Sequence, residues 1–361
     1  MHVQIFSSRP SRSCSRSRLM VQWSRRTLSP FHRPCAPACC LLRFPRAPPR
    51  VCLCVCAHGV ALCRSFSRSA IEAFGVLVLK LSESEFKPVF MQIYEWGNGI
   101  AAAAAASASS SADGGGGGLQ FTDPHGLWRR SVLFYRVVNQ LAEQLKAIFV
   151  PFYRHILDGL VKHLGAAVAE SAGEKNPRRK RRKGGGTEKQ QQQQHSEAAT
   201  AAARVLADHA TDAVAKLFLY DSDQEVATEG RILELVEPLA SQLESSFGLD
   251  DAGYRARVAE TIVPCVSQLA VCGSTYDIWK PLNHALLSRS RSDRAVVRTA
   301  ALMCVEALFG KLAEEYLVLL PETIPFLAEL MEDDDIEVEA LVKKLVKHIE
   351  DLSGEKLTNY L

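Results

Sequence analysis

The stretch LLPETIPFLAELMEDDDIEVEALVKKLVKHIEDL, Leu319–Leu352, decides how the chain reads. Its apolar residues recur at three- and four-residue steps on both sides of the acids Glu332–Asp335, so it reads as two amphipathic helices joined by a turn. The first helix carries a proline, Pro325. A proline removes one backbone hydrogen bond and bends the helix, which a curved stack of helix pairs accommodates. The acids stand at the start of the second helix, where aligned N–H groups favour negative charge by about 0.3–1 kcal/mol each. Lys343, Lys344, Lys347 and His348 lie toward its other end, where the dipole favours cations. The acids are therefore expected to cap a helix rather than form a docking patch.

Working outward, the same pattern recurs. RILELVEPLASQLE, IWKPLNHALLS and LLPETIPFLAELME each place a proline ahead of a leucine-rich run, and Pro238, Pro281 and Pro325 are spaced by 43 and 44 residues. Behind each, a second helix is expected, over 252–269, 293–312 and 336–352. A two-helix unit recurring every 40–47 residues or so is the HEAT or armadillo period. The middle unit adds SDRAVVRTAALMCVEALFGKL, with Asp293 followed four and five residues later by Val297 and Arg298, a local HEAT signature. Strand signals are nearly absent. The expected fold is all-α: a HEAT-type α-solenoid of stacked antiparallel helix pairs, with a disordered N-terminal leader and low-complexity inserts. In such a stack Leu317, Leu319, Leu320, Phe326, Leu327 and Leu330 are core positions.

Toward the N-terminus the organisation is looser. Residues 1–69 read as a disordered or unrelated leader, and 70–99 as the first helices, 71–81 and 85–96, with Pro88 in the first turn of the second. Residues 100–120 form an Ala/Ser/Gly linker. Residues 121–170 form a helical pair meeting near Pro151, with Val137, Leu141, Leu145 and Ile148 as one apolar stripe. Residues 171–196 form a basic and Gln-rich linker, and 197–361 the HEAT-like repeats, opening with a helix over 197–220.

Charge and cysteine separate the leader from the rest. Twelve of the 43 basic residues and none of the 40 acidic ones fall in residues 1–70, which leaves 31 against 40, a net of −9, over 71–361. That balance argues against a nucleic-acid-binding surface spread over the whole body. Eight of the 11 cysteines also lie in the leader. Three readings stay open for it: a transit peptide, since it is rich in Arg and Ser and free of acids; a thiol metal site at VCLCVC; or a leader without either role. The CxCxC alternation lacks the paired CxxC spacing of a zinc site. Cys265, Cys272 and Cys304 stand singly in helical patterns and read as buried free thiols. No run of eighteen apolar residues, roughly what a membrane helix needs, occurs anywhere.

No enzyme signature is present: no GxGxxG, GxxxxGK[ST], HExxH or GxSxG. No catalytic, cofactor-binding or metal-binding residue is assigned, and no cofactor is expected. His155 and His163 are expected to face solvent, without a ligand partner at metal spacing. The sharpest local signal is PRRKRRK, where Arg178, Arg179, Lys180, Arg181, Arg182 and Lys183 follow one another beside a glycine run. Six adjacent charges cannot pack, so the segment is exposed. It fits a nuclear-localisation signal read by importin, phosphate contact with ribosomal RNA, or a merely soluble linker, and these roles can coexist.

Four stretches carry a more specific likeness. Residues 279–339, beginning WKPLNHALLS and containing LLPETIPFLAELMED, resemble the C-terminal end of the large nucleolar HEAT-repeat protein of the small-subunit processome, the U-three small nucleolar RNA-associated protein ten family. KLSESEFKPVFMQIYEWG, residues 80–97, resembles the start of that family's C-terminal domain, and LFYRVVNQLAEQLKAIFVPFYRHIL and AETIVPCVSQLAV follow in the expected order. The likeness covers about residues 70–361, while the leader and the Ala, Gly and Gln inserts depart from it. The resemblance implies a non-catalytic nucleolar scaffold in ribosome biogenesis. Its implied partners are processome proteins, pre-ribosomal RNA and U-three small nucleolar RNA, held directly or indirectly, with support for processing to 18S rRNA and for ribosomal RNA transcription. The rival reading is a HEAT-repeat adaptor in nuclear transport or signalling. Neither involves a membrane.

Overall fold

A computed structural model describes residues 60–98, 127–173 and 186–357. Its helices are α1 (Val60–Val78), α2 (Glu83–Asn98), α3 (Leu127–Leu145), α4 (Tyr153–Gly173), α5 (Gly186–Tyr220), α6 (Glu229–Ala240), α7 (Asp251–Arg257), α8 (Val263–Gly273), α9 (Tyr276–Arg289), α10 (Ala295–Leu312), α11 (Leu320–Leu330) and α12 (Ile336–Ser353). No strand occurs among the described residues. The leader through residue 59, the linker over 100–120 and the basic heptad lie outside them.

The helices pair as α2–α3, α4–α5, α6–α8, α9–α10 and α11–α12, and each pair stacks on the next. One layer runs α4, α6, α9, α11 and the other α3, α5, α8, α10, α12, with α1 laid on α3. This is the expected HEAT-type solenoid, each unit completing its neighbour's core. Buried Leu206, Leu217, Leu235, Leu269, Leu286, Leu308 and Leu345 run through one continuous apolar core. At its N-terminal end five rings, Phe86, Phe90, Phe134, Phe149 and Phe152, pack together, with Phe90 5.0 Å from Phe152 and 5.5 Å from Phe149. Gly97 permits the close approach of α2 to α3, since a Cβ there would meet Phe134 Cβ at 2.6 Å.

The recurring prolines lie inside the first helices of their units: Pro238 in α6, Pro281 in α9 and Pro325 in α11. Pro281 and Pro325 face solvent and Pro238 is half-buried. The carbonyl each proline leaves without its helical donor can therefore be hydrated, which is why a helix interior tolerates the loss. Pro325→Ala restores that bond at an exposed position and is expected to change stability by no more than about 1 kcal/mol. A loss above about 3 kcal/mol in urea unfolding would give the ring a packing role instead.

Several boundaries differ from the sequence reading. α1 begins at Val60, ahead of the expected start near residue 70, because nothing between Val60 and Phe74 breaks a helix. α2 begins at Glu83, where the Glu85 carboxylate reaches back to Ser82: Ser82 N donates to Glu85 Oε2 (3.1 Å), as does Ser82 Oγ (2.9 Å). Pro88 is then the sixth residue of α2, past its first turn. α4 continues to Gly173 and α5 starts at Gly186, so the glutamines at 190–194 are helical rather than linker. Gln and Ala are strong helix formers, and composition alone concealed this. Between α3 and α4 the chain turns through a 3₁₀ segment, Lys146–Phe152, opened by Lys146 at φ 50°. The turn throws Ile148 off the expected stripe: Leu141 is buried, whereas Ile148 is 74% exposed. Before α8, Val258–Ile262 widens to a π turn. Pro264, which cannot donate to Glu260 O, stands two residues past it.

Candidate docking surface

The residues that give the C-terminal stretch its character fasten one unit to the next. In WKPLN, Trp279 Nε1 donates to Ala270 O (2.8 Å) in the preceding unit. Asn283 is 1% exposed; its Nδ2 donates to Thr323 Oγ1 (3.1 Å), its Oδ1 accepts from Tyr316 OH (3.1 Å), and Thr323 Oγ1 donates to Leu319 O (2.9 Å). In LLPETIPFLAELMED, Glu322 pairs with Lys280 (2.9 Å), and Glu329 takes both arms of Arg291 at 2.8 and 2.5 Å. Leu319, Leu327 and Leu330 are buried, while Leu317, Leu320 and Phe326 pack against the core partly exposed.

A ladder of charge pairs runs the length of the stack. Between first-layer helices, Asp158 pairs with Arg231 (2.8 Å), Glu237 with Arg289, and Lys280 with Glu322. Asp208 of α5 pairs with Arg257 at the end of α7 (2.6 Å), and between second-layer helices Glu306 pairs with Lys344 (2.8 Å). Arg257 is nearly sealed, with its side chain 4% exposed, its Nη2 on Gln242 Oε1 (3.0 Å) and its guanidinium over the Phe247 ring at 4.6 Å. Asp221, also buried, closes the α5–α6 turn by accepting from the backbone N of Glu225, Val226 and Ala227 at 2.8, 2.9 and 2.7 Å.

The four acids ahead of α12 divide their work. Only Asp335 caps the helix, accepting from Glu337 N (2.9 Å) and Val338 N (3.3 Å). Asp333 instead takes both arms of Arg298, at 2.8 and 2.7 Å, across the unit boundary. Burial pushes the Asp333 carboxyl up, but the hydrogen bonds from Arg298 and from Asp335 N outweigh it and hold it below the usual carboxylate range. Arg298, read in the sequence with Asp293 as a local signature, thus finds its carboxylate 35 residues downstream, while Asp293 is exposed.

The titratable groups are tuned by burial. His155 is exposed as expected, but His163 is not: its Nδ1 lies 2.7 Å from Tyr135 OH between α3 and α4. Burial, with a smaller contribution from Lys162, lowers its pKa from 6.5 to about 4. The ring is neutral at pH 7 and shares a hydrogen bond with the phenol. Unfolding returns it to its ordinary value, so the unfolded chain binds a proton between pH 6.5 and about 4 that the folded chain refuses. Stability therefore falls as pH drops through that window, by up to about 3 kcal/mol. His163→Gln is expected to flatten the decline in melting temperature between pH 7 and 4.5; an identical decline would assign it to other groups, of which His209, also lowered by burial, is the first. Burial pushes the Cys272 thiol up to about 11 and Cys304 to about 12, and raises Cys265 as well. All three are free thiols held in the unreactive form.

Among the described residues, no three His, Cys, Asp or Glu side chains gather to hold a metal ion. None of their helices is long and apolar enough to cross a membrane. A notch of about 330 Å³ between α1, α3 and α5 is lined by Arg68, Glu72, Asn139, His209, Asp212 and Lys216, with cations and carboxylates in balance. A second, of about 370 Å³ at the α9–α10 turn, is rich in arginine, yet Arg289 pairs with Glu237 and Glu244, and Arg291 with Glu329. The described surface is patterned with paired charges.

Residues 62–226 match the BP28CT (NUC211) domain. That stretch carries the family's domain. The match takes in α1 to α5 and the Asp221 turn. The chain is 33% identical over 298 residues to HEAT repeat-containing protein 1 of Danio rerio, covering 80% of the chain and 12% of the relative. It is 31% identical over 290 residues to the Homo sapiens protein of the same name, with the same coverages. It is 28% identical over 296 residues to U3 small nucleolar RNA-associated protein 10 of Aspergillus terreus, covering 79% of the chain and 14% of the relative. The chain thus spans about an eighth of the length of these relatives and corresponds to the C-terminal domain that the sequence resembles. The quoted motifs owe their individuality to the cement between units: Trp279, Asn283, Thr323 and Asp333 each bind across a boundary.

Proposed function

We propose that this chain is a non-catalytic scaffold in ribosome biogenesis, a docking module of the small-subunit processome in the nucleolus. The observation that carries the reading is the conjunction of a continuous helical solenoid with relatives named as U3 small nucleolar RNA-associated and HEAT repeat-containing proteins. A solenoid gives every unit one buried and one presented side, so its contacts with partners are many and individually modest. In this role it supports processing toward 18S rRNA, and ribosomal RNA transcription, by holding processome proteins near pre-ribosomal RNA and U3 small nucleolar RNA. Arg178, Arg179, Lys180, Arg181, Arg182 and Lys183 supply the importin signal and, once in the nucleolus, salt-dependent phosphate contacts.

Imaging the fluorescently tagged chain beside a nucleolar marker tests this. The expected result is nucleolar concentration, with the nuclear-to-cytoplasmic ratio falling several-fold when the six basic residues are replaced by alanine. Concentration at the nuclear rim, or diffuse cytoplasmic signal in the unaltered chain, would support a transport or signalling adaptor instead.

A further inference from the structure

The turns that open α10 and α12 are built alike. Their N-cap residues, Arg294 and Asp335, have φ −95° with ψ 117° and φ −95° with ψ 118°. Two residues ahead of each cap, a side-chain oxygen accepts from the cap's backbone N: Ser292 Oγ from Arg294 N (3.3 Å), and Asp333 Oδ1 from Asp335 N (2.9 Å). Arg298 holds both turns, donating to Ser292 O (2.9 Å) and forking onto Asp333. Ser292 therefore occupies in one turn the place that Asp333 occupies in the next. The charges differ. α12 has the Asp335 carboxylate on its first N–H groups and two glutamates in its first turn, whereas α10 has neither a side-chain cap nor an acid there. Instead Arg289, Arg291 and Arg294 line, with Ser292, the notch of about 370 Å³ at the α9–α10 turn.

Arg-Ser dipeptides recur among the described residues, and one of them is open. Ser65 and Ser69 lie inside α1, and Ser131 and Ser290 are buried. Ser292 stands half-buried in the turn between two helices, behind the exposed Arg291. Arginine beside serine is a charge pattern that carboxylates in a kinase cleft read. The uncapped start of α10 opens more readily than a capped one, which yields the extended backbone such a cleft takes. We propose that Ser292 is a phosphorylation site for an arginine-directed protein kinase, and that its phosphate is held by Arg291, Arg294 and the start of α10. In the step, Ser292 Oγ bonds to the γ-phosphorus of ATP and the bond to the β-phosphate oxygen breaks. ADP leaves, and the hydroxyl proton passes to the kinase's aspartate. The product carries a charge of about −1.5 to −2 where the next unit carries Asp333. Arg289 stays committed to Glu237 and Glu244. The bridge from Arg291 to Glu329 is half-exposed on both sides and weak, so a phosphate competes for that guanidinium. Arg294 is held only by a carbonyl contact to Glu244 O (3.4 Å) and the Tyr254 ring, 5.8 Å away. Asp293, the other acid at the notch, is exposed, where water and salt screen it.

The test incubates the whole folded chain with a purified protein kinase specific for Arg-Ser dipeptides, Mg²⁺ and ATP. A synthetic peptide of residues 286–297 serves as the same sequence without its fold. Mass spectrometry after chymotryptic digestion locates the phosphate. Ser292 is expected to be modified in both, and Ser292→Ala to remove the signal from the α9–α10 turn. Ser131 is expected to stay unmodified in the chain, although it follows Arg130, because it is buried with its Oγ on Gly97 O (3.1 Å). Hydrogen exchange then reads where the phosphate sits. The first-turn amides of α10 are expected to exchange about two- to fivefold more slowly after modification, as an anion at a helix start requires, and Arg294→Gln to reverse part of that slowing. Modification of the peptide but not of the chain would overturn the proposal, since the turn would then be closed to a kinase. Modification of neither would overturn it as well, by removing the recognition of Arg291. Equal rates at Ser131 and Ser292 would assign the reaction to unfolded chains, not to an open turn. Phosphate on Ser292 with unchanged or faster exchange in α10 would refute the seat on Arg291, Arg294 and the helix start.

Discussion

Arg298→Ala is expected to cost about 3–5 kcal/mol of unfolding free energy, the penalty for leaving one member of a buried pair uncompensated. The side chains of Arg298 and Asp333 are 15% and 7% exposed, and they meet through two parallel bonds across the last unit boundary. Arg298 also donates through Nη1 to Ser292 O (2.9 Å), so the substitution loosens the α9–α10 turn as well. Chemical denaturation of the variant reads the effect. Arg298→Lys is expected to recover only part of it, because an ammonium cannot reproduce the fork. A loss below about 1 kcal/mol would mean that water replaces the guanidinium and that the pair behaves as an ordinary surface bridge. The pH dependence carries a sign. The Asp333 carboxyl sits below the usual range, so the pair's contribution is present above pH 4 or so and is lost as pH falls further through the folded value. That separates it from His163, whose effect is complete by about pH 4.

Asn283→Ala is the second large expectation, at about 2–4 kcal/mol. It removes a buried donor and acceptor together, leaving Tyr316 OH without its acceptor, at about 1–3 kcal/mol for an unsatisfied group, and Thr323 Oγ1 with its bond to Leu319 O alone. Tyr316 is fully buried, in edge contact with Phe309 (4.9 Å) and Trp279 (6.2 Å), so water cannot replace the lost bond without opening that cluster. Asn283→Asp offers a check. It keeps the shape and an acceptor for Tyr316 but loses the donor to Thr323 and buries a charge, so it is expected to be no better than alanine. Hydrogen exchange should show α11 and α12 opening while α3 to α5 keep their protection. Uniform loss of protection along the stack would contradict a junction-limited role.

The solenoid was legible from the sequence because its repeating unit is local. The spacing of Pro238, Pro281 and Pro325, and the apolar steps around them, need no knowledge of distant contacts. Helix ends were less legible where composition and conformation part company, as in α5, whose glutamines resemble a linker and form a helix. The stripe through Ile148 failed because a single residue, Lys146, takes a positive φ and resets the period. Long-range partners were the least visible. Nothing local separates Asp333 from Asp335, yet one closes a unit boundary and the other caps a helix. His163 read as a surface residue because its partner Tyr135 lies 28 positions away on another helix.

The most direct test of the scaffold reading is affinity purification of the tagged chain from nuclear extract, with mass spectrometry of the proteins and sequencing of the RNA. The scaffold account predicts recovery of small-subunit processome proteins together with pre-18S or U3 small nucleolar RNA, lost when the stack is destabilised by Arg298→Ala. Recovery of importins alone, with no ribosomal precursor RNA, would contradict it.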